Sequence, residues 1–245
     1  MPKDIAVSAP SIEILYEDDF VVVINKPAGL LVHPDGKSTE ATVCDWVLSR
    51  YPNIGEVGEP LVLADGTKIL RPGIVHRIDR ETSGVLAIAK TQETFLFLKD
   101  QFKNHTVDKK YRAFVYGKVE RAFGSIDKAL GRSKKDFRQY TDPPRARGEM
   151  RPALTHFALL KAGEKFSYLE AFPKTGRTHQ IRVHLKSIKH PIVCDRVYAH
   201  ELPCALGFGR LALHAHSLSF LVPSGERVSI EAPLPQDFIE AEKLI

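Results

Sequence analysis

The segment from Arg71 to Gly84 concentrates residues whose types could do chemistry. It places His76, Arg77 and Asp79 in a polar stretch between an apolar approach and an apolar run. Reactive groups are commonly presented on loops held between rigid elements. The arginines on both sides of Asp79 in the sequence favour an ionised carboxylate, which could attack a carbon or remove a proton. The alternative is a turn residue that forms a surface ion pair with Arg80.

Hydrophobic patterning predicts the elements that would position this segment. Strands are predicted at residues 12–16, 20–24, 84–90, 109–119, 154–160, 166–172 and 211–222, with a short final strand ending at 230. Helices are predicted at residues 39–51 (capped by Ser38 or Thr39), at 91–104, and from the N-cap Thr178 to about 189. Because strands outnumber helices and are often joined by hairpins, the sequence predicts an α+β fold with a mixed, mostly antiparallel sheet and flanking helices.

Length and composition predict one catalytic domain at residues 12–235, with an N-terminal tail at 1–11 and a C-terminal tail at 236–245. The 245 residues are 43% hydrophobic, enough for a full core. Aliphatic runs are too short for a membrane span or a signal peptide, which predicts a cytoplasmic protein. The three cysteines are irregularly spaced, so no disulfide framework and no zinc site are expected. A small hairpin is predicted around Ala64, Asp65 and Gly66, within an insertion at 60–68.

The basic charge is concentrated in one segment. Residues 128–151 contain eight basic and three acidic residues, which equals the net charge of +5 of the whole chain. Phe137 and Tyr140 lie among these cations, a pattern that suits a phosphate backbone with unstacked bases nearby. A solvated loop is the alternative, because lysines and arginines are common on protein surfaces.

Two other function classes are open from the residues alone. Histidines at 179, 184, 190, 214 and 216 could indicate a metal-dependent hydrolase, although the sequence has no His-Glu-x-x-His and no closely spaced cysteine pair. A non-enzymatic RNA-binding or ribosome-assembly protein would need only the basic segment. A nucleotide cofactor is not expected, because Gly207-Phe-Gly209 is neither a P-loop nor a complete dinucleotide fingerprint.

Four ordered segments resemble the RluA-type pseudouridine synthases. Residues 76–84 read His-Arg-Ile-Asp-Arg-Glu-Thr-Ser-Gly, similar to the family signature His-Arg-Leu-Asp-x-x-Thr-Ser-Gly. The other three are Asn-Lys-Pro-Ala-Gly at 25–29, Lys-Tyr-Arg-Ala at 110–113 and Thr-Gly-Arg-Thr-His-Gln-Ile-Arg-Val-His at 175–184. The resemblance covers residues 12–233, without the accessory N-terminal RNA-binding domain of many members. It implies a single catalytic domain with a central RNA-binding cleft.

The resemblance also implies roles for individual residues. Asp79 would be the essential carboxylate, Arg182 its arginine partner, and Tyr111 the aromatic that stacks on the target base. Arg77 would fill the space left by an extruded uridine. Further RNA contacts are expected at His76, Lys26, Arg177, Lys134 and Lys135. The implied partner is structured RNA, ribosomal or transfer, bound by a monomer with no cofactor, metal or membrane.

One segment departs from the family pattern. Cys194 and Ala199 stand where members usually have glycine, before the aspartate and after the tyrosine of a Gly-Asp-x-x-Tyr-Gly segment. Both residues carry a β-carbon, so any requirement for positive φ must be relaxed or met in another way.

Overall fold

The computed structural model describes residues 11–34, 40–62, 66–141 and 146–245. The strands are β1 (Glu13–Glu17), β2 (Val21–Lys26), β3 (Leu61–Val62), β4 (Lys68–Ile69), β5 (Ser83–Ala89), β6 (Asp108–Tyr116), β7 (Phe123–Asp127), β8 (Leu130–Ser133), β9 (Gln139–Tyr140), β10 (Ala146–Arg151), β11 (Leu154–Ala162), β12 (Phe166–Pro173), β13 (Leu213–Leu221) and β14 (Arg227–Glu231). The helices are α1 (Val43–Arg50), α2 (Gln92–Lys103), α3 (Gln180–Ser187) and α4 (Gln236–Lys243). None of the described helices has the length and apolar character needed to span a bilayer. The predicted α+β fold, with a mixed and mostly antiparallel sheet, is confirmed.

The chain divides into two compact units, and the first comprises the described residues up to Val107 together with Ser219–Glu231. In its sheet, β2 pairs antiparallel with β1 on one side and with β5 on the other. This confirms the predicted N-terminal hairpin. All seven residues of β5 are buried, as the apolar run from residue 84 predicted. Helix α1 covers this sheet with Val43, Trp46 and Val47, which belong to the same apolar core.

Capping side chains define where the helices of the first unit begin. Thr42 caps α1: its hydroxyl accepts from the Asp45 amide, and the Asp45 carboxylate accepts from the Thr42 amide at 2.8 Å. The predicted caps Ser38 and Thr39 lie outside the described residues. Helix α2 begins as predicted, with the Thr91 hydroxyl accepting from the amide of Thr94.

The small hairpin predicted after residue 60 is present. Strands β3 and β4 pair antiparallel, with Leu61 opposite Ile69. Of the predicted turn residues, Ala64 and Asp65 lie outside the described part of the chain. Leu61 and Val62 are exposed, so this hairpin adds nothing to the core of the first unit.

The second unit comprises Asp108–Leu218 and Ala232–Ile245. Strands β6, β12, β11 and β7 pair antiparallel in that order. A separate three-stranded sheet has the order β10, β8, β9. The core is aromatic at its centre, because Phe114 stacks on Tyr168 at 4.3 Å between ring centroids and packs edge-on against Phe238.

Two sequence expectations about the second unit are wrong. The C-terminal segment at 236–245 is not a tail: residues 236–243 form α4, and its Phe238 and Ala241 are fully buried. An apolar stripe on eight residues was too short a signal to distinguish a packed helix from a tail. Helix α3 is not capped by Thr178, because the N-cap is His179 in the left-handed conformation at φ 55°.

A buried histidine makes the stability of the second unit depend on pH. His214 on β13 is inaccessible to solvent, and burial lowers its pKa to about 4. Below the ordinary histidine pKa of about 6.5, the unfolded chain therefore binds a proton that the folded chain does not. This imbalance favours the unfolded chain increasingly as the pH falls from about 6.5 towards 4, whereas above about pH 6.5 neither state binds the proton and the fold keeps its full stability.

We therefore expect the free energy of unfolding, measured by urea denaturation, to fall as the pH is lowered from about 6.5 to 4, with His214 contributing about 3 kcal/mol. The variant His214→Leu should show a shallower slope across this range. His200→Gln, at an exposed histidine, is the matched control and should keep the wild-type slope. Equal slopes for His214→Leu and the wild type would contradict this assignment.

Candidate active site

Asp79 lies in the first unit, on an irregular loop that leads into β5. The backbone oxygen of Asp79 accepts from the Thr82 amide at 3.1 Å, which closes the turn before the strand. Ile78 is buried in the protein, Asp79 is half-buried, and Arg77 is exposed. The loop is therefore anchored by one apolar side chain, with a carboxylate at the boundary and a guanidinium in solvent.

Lys26 holds this loop in place from inside. Its side chain is fully buried, and its ammonium donates to the backbone oxygens of Pro27 (2.8 Å), Leu30 (2.9 Å) and Arg80 (3.0 Å). The amide of Gly29 also donates to the Arg80 oxygen, at 2.9 Å. Enclosure of the ammonium by three carbonyls favours a structural role for Lys26 over the phosphate contact predicted from the sequence. Lys26 instead fixes the backbone directly after Asp79.

Two further contacts hold the approach to Asp79. Gly73 adopts φ 65° and lies so close to β5 that a β-carbon there would be 2.1 Å from the Ala89 oxygen, which is why only glycine fits. His76 stacks on Phe102 at 4.5 Å, and its Nε2 accepts from the Ala87 amide at 3.0 Å. These contacts favour a structural role for His76 over the RNA contact predicted from the sequence, because the ring is held between α2 and β5.

In the second unit, Tyr111 lies on β6 opposite Ala171 of β12. It is half-buried and packs against the apolar core, as expected for an aromatic on a strand. The next residue points to the other face, where Arg112 pairs with Glu170 at 3.0 Å. Strand alternation thus fixes which face of the sheet carries the Tyr111 ring.

Arg182 on α3 is 5% exposed and forms a two-pronged ion pair with Asp195. Its Nε and Nη2 donate to the two carboxylate oxygens at 2.8 and 2.7 Å. The sequence indicates Asp195 only as the aspartate of the Gly-Asp-x-x-Tyr-Gly segment, and it does not predict the pairing with Arg182. Residues 13 apart, separated by a helix end and a turn, gave no local pattern that would join them.

The Asp195 carboxylate also organises the turn that follows it. Its Oδ1 accepts from the amides of Val197 and Tyr198, both at 3.0 Å. The Arg182 guanidinium lies over the Tyr198 ring, with its Cζ 5.2 Å from the ring centroid. The Tyr198 hydroxyl accepts from the Gln139 amide and lies 2.8 Å from Nδ1 of His179. The Arg182 side chain is therefore held by a carboxylate and an aromatic face.

Gln180 fixes the turn before α3 and was not singled out from the sequence. Its side-chain oxygen accepts from the Thr175 hydroxyl at 2.6 Å and the Arg177 amide at 3.0 Å. Its amide nitrogen donates to the Leu154 oxygen and the Thr155 hydroxyl, each at 3.0 Å. A buried glutamine with all these partners is a strong positional constraint, so this side chain sets where α3 starts.

Cys194, directly before Asp195, is in the left-handed conformation at φ 58°. The requirement for positive φ that glycine would meet is therefore kept here, at a cost of about 1–2 kcal/mol for a residue with a β-carbon. Cys194 is bonded to Cys204, with their Cα atoms 4.4 Å apart. The expectation of no disulfide was wrong because the pairing depends on the fold between the two residues. Ala199 has no positive φ, so at that position the requirement is relaxed.

The predicted RNA-binding cations of the second unit lie at its surface. Lys134 and Lys135 are exposed between β8 and β9. Arg177 is half-buried, and its Nε donates to the Pro152 oxygen at 3.2 Å, which leaves the other guanidinium nitrogens for a ligand. Within residues 11–34, 40–62, 66–141 and 146–245, the structure has no group of three or more His, Cys, Asp or Glu that could hold a metal ion.

The histidines considered for a metal-dependent hydrolase have other partners. His184 is fully buried, with its Nδ1 2.9 Å from the Thr155 hydroxyl and its Nε2 2.9 Å from the Lys128 oxygen. Nδ1 of His190 lies 3.0 Å from the backbone oxygen of Tyr116. Burial lowers the pKa of His184, which favours the neutral ring, and both ring nitrogens have hydrogen-bonding partners in the core.

Known proteins are similar to this chain along its whole length. Residues 20–187 match the family described as RNA pseudouridylate synthase. The chain is 37% identical over 246 residues to an uncharacterized RNA pseudouridine synthase of Synechocystis sp., covering 100% of this chain and 71% of that protein. It is 38% identical over 243 residues to ribosomal large subunit pseudouridine synthase D of Zymomonas mobilis, covering 96% and 72%. The structure of human RNA pseudouridylate synthase domain containing 1 matches with a TM-score of 0.70 at 25% identity, covering 92% and 84%.

The chain belongs to the RNA pseudouridylate synthase family, as the match over residues 20–187 shows. It is an isomerase that acts on RNA, and the resemblance to the RluA type is confirmed. Of the predicted site residues, the first unit carries Lys26, His76, Arg77 and Asp79. The second unit carries Tyr111, Lys134, Lys135, Arg177 and Arg182.

We expect Lys26→Met to lower the free energy of unfolding by about 3 kcal/mol or more, because three buried carbonyls lose their charged donor. Urea denaturation of the full chain measures this. Lys99→Met is the matched control, since Lys99 pairs with Glu59 at the surface of the same unit and should change stability by about 1 kcal/mol at most. Similar losses for the two variants would contradict the structural role of Lys26.

We expect Asp195→Asn to destabilise the protein by about 3–5 kcal/mol, because it removes the carboxylate charge that binds the buried Arg182 guanidinium at two nitrogens. The control is Asp237→Asn: Asp237 pairs with Arg210 in the same two-pronged geometry, at 2.7 and 2.8 Å, but the two side chains are 27% and 20% exposed. Hydration of the remaining arginine should keep that loss below about 2 kcal/mol. Thermal or urea unfolding that ranks the variants the other way would overturn this assignment.

Proposed function

We propose that this protein converts selected uridines of a structured RNA to pseudouridine, without a cofactor, and that its substrate is ribosomal RNA of the large subunit. Family membership supports the reaction class. The substrate follows from relatives named ribosomal large subunit pseudouridine synthase D, in Zymomonas mobilis and in Neisseria meningitidis among others. Transfer RNA is the second candidate. We further propose that the protein works as a monomer in the cytoplasm, where these RNAs are found.

The reaction requires a group that stabilises positive charge at the sugar. Pseudouridine forms when the bond between the uracil nitrogen and the ribose breaks, the base turns and carbon five joins the ribose. The proton then leaves carbon five, and the freed uracil nitrogen takes up a proton. Bond cleavage builds positive character at the anomeric carbon, which an ionised carboxylate stabilises or traps covalently. No electrons are exchanged, so the overall isomerisation balances without an oxidant or reductant.

We assign the essential carboxylate to Asp79. The observation that carries this proposal is the construction of its loop: buried Lys26, Gly73 and His76 all fix backbone or ring positions around a half-buried Asp79. A catalytic group needs such support, because a misplacement of about 1 Å can cost about a hundredfold in rate. Attack on the anomeric carbon and removal of the proton at ribose carbon two both require the ionised form.

The second unit supplies the remaining proposed site residues. We assign Tyr111 to stacking on the uracil and to assisting proton removal. Arg182 is assigned to pairing with the catalytic carboxylate, in addition to its ion pair with Asp195. A guanidinium has five N–H donors, so one arginine can bind more than one acceptor.

RNA binding is assigned to cations that the structure leaves at the surface. Arg77 is exposed, and a flat guanidinium can occupy the gap left in a base stack while donating hydrogen bonds. Arg177, Lys134 and Lys135 are assigned to phosphate contacts. Lys26 and His76 are not, because their polar atoms are engaged inside the first unit.

We expect Asp79→Asn to reduce tritium release from RNA labelled at carbon five of uridine by more than about a thousandfold, because an amide neither attacks carbon nor removes a proton. RNA binding, measured by filter retention, should change little. The control is Glu81→Gln, which neutralises an exposed carboxylate two residues away and should remain active.

The same experiment separates the alternatives. Substantial turnover by Asp79→Asn would remove the assignment of the carboxylate. If the wild-type protein binds RNA but releases no tritium from ribosomal or transfer RNA, the result supports a non-enzymatic RNA-binding or ribosome-assembly protein. If activity is lost in excess chelator, the result supports a metal-dependent hydrolase. Mapping pseudouridine in cellular RNA with and without this protein identifies the substrate.

A further inference from the structure

We infer that the hairpin between β8 and β9, residues 133–140, presents Phe137 as a stacking platform for an unpaired base close to the target uridine. We call this segment the basic hairpin. The inference rests on the proposed function, since it assigns a specificity-determining contact to the same RNA substrate. It predicts that an unpaired nucleotide near the modified uridine is part of what the enzyme recognises.

The basic hairpin is folded by its own hydrogen bonds. Ser133 is buried, its amide donates to the Arg138 oxygen at 2.7 Å, and its hydroxyl accepts from the Lys135 amide at 3.1 Å. The Asp136 carboxylate accepts from the amide of Arg138 at 2.9 Å and from its Nε at 2.8 Å. The conformation of the turn is therefore set before any ligand arrives, which lowers the entropy lost on binding.

Phe137 extends from this turn with 60% of its surface exposed. A single exposed apolar residue needs no explanation by itself. Here the exposed ring is flanked by the exposed cations Arg132, Lys134 and Lys135. Aromatic rings among cations are the combination that binds single-stranded nucleic acid, because every base has a stacking face and every nucleotide has a phosphate. A protein partner with an apolar surface would not require the cations.

Contacts inside the second unit tie the basic hairpin to α3. The edge of the Phe137 ring faces the His179 ring at 6.1 Å between centroids. The Gln139 amide donates to the Tyr198 hydroxyl at 2.8 Å, and the same hydroxyl lies 2.8 Å from His179. Tyr198 in turn contacts Arg182. Phe137 is thus connected through two aromatic side chains to a proposed site residue.

This position suits the physical problem of base extrusion. Turning a nucleotide out of its stack costs a few kcal/mol, because the bases on both sides lose a stacking partner. Arg77 is assigned to the space left by the uridine itself. An aromatic ring held at a fixed place can stack on a neighbouring base that is already unpaired, and so it favours RNAs that offer one.

The test uses an RNA stem–loop containing uridine, with the fluorescent adenine analogue 2-aminopurine at each loop position in turn. Binding is measured with the Asp79→Asn variant, so that turnover does not change the probe. Adding Phe137→Ala should weaken binding by roughly 5- to 100-fold. It should also abolish the quenching of 2-aminopurine at one loop position. Phe137→Tyr should retain both properties, and Phe137→Leu should lose both, because leucine is apolar but cannot stack.

Two matched controls separate stacking from other effects. Phe123→Ala removes the most exposed phenylalanine of the same unit, 77% exposed on β7, and should leave binding and quenching unchanged. Lys134→Ala should reduce the salt dependence of binding by about one phosphate contact, whereas Phe137→Ala should leave that salt dependence unchanged.

Two outcomes would overturn the inference. Wild-type affinity and quenching in Phe137→Ala would show that the ring does not touch RNA. Full retention by Phe137→Leu would show an apolar contact, as with a protein partner, in place of stacking. Failure of the proposed function appears elsewhere, as absence of tritium release by the wild-type protein, so the two results are distinguishable.

Discussion

A guanidinium buried to 95% requires a carboxylate in the same place, and the Arg182–Asp195 ion pair meets this constraint in the second unit. Because both groups are inaccessible, much of the desolvation energy of each is compensated by this ion pair, and the compensation depends on the two-pronged geometry. This geometry fixes the direction of the α3 side chain and the path of the turn at 195–199. Tyr198, His179 and the basic hairpin are arranged around that turn, so much of the proposed RNA-facing surface depends on one ion pair.

In the first unit the buried charge is the Lys26 ammonium. An ammonium is a compact charge with three donors, and Lys26 uses them on three backbone carbonyls. The loop around Asp79 is therefore held in part through its backbone, at the Arg80 oxygen. This arrangement allows Arg77 to remain in solvent while the peptide next to Asp79 cannot shift.

The turn before Asp195 shows how a family pattern can change without loss of the geometry it encodes. A left-handed residue is still required at 194, and Cys194 adopts that conformation despite its β-carbon. Its bond to Cys204 closes a short loop in the same region. At Ala199 the backbone has moved out of the left-handed region, so the second glycine of the pattern is no longer needed.

The sequence by itself determined the reaction class, the α+β fold and most element positions, because these depend on local patterns: alternation, capping residues such as Thr91, and contiguous motifs around Asp79 and Arg182. It did not determine which polar groups meet in space. Lys26 and His76 are residue types that often contact RNA. Only the tertiary structure showed that the Lys26 ammonium and the His76 Nε2 bind backbone groups of their own unit. The Arg182–Asp195 pair, the Cys194–Cys204 bond and the packing of α4 likewise depend on contacts between residues distant in sequence, whose energies come from burial and cannot be read from spacing.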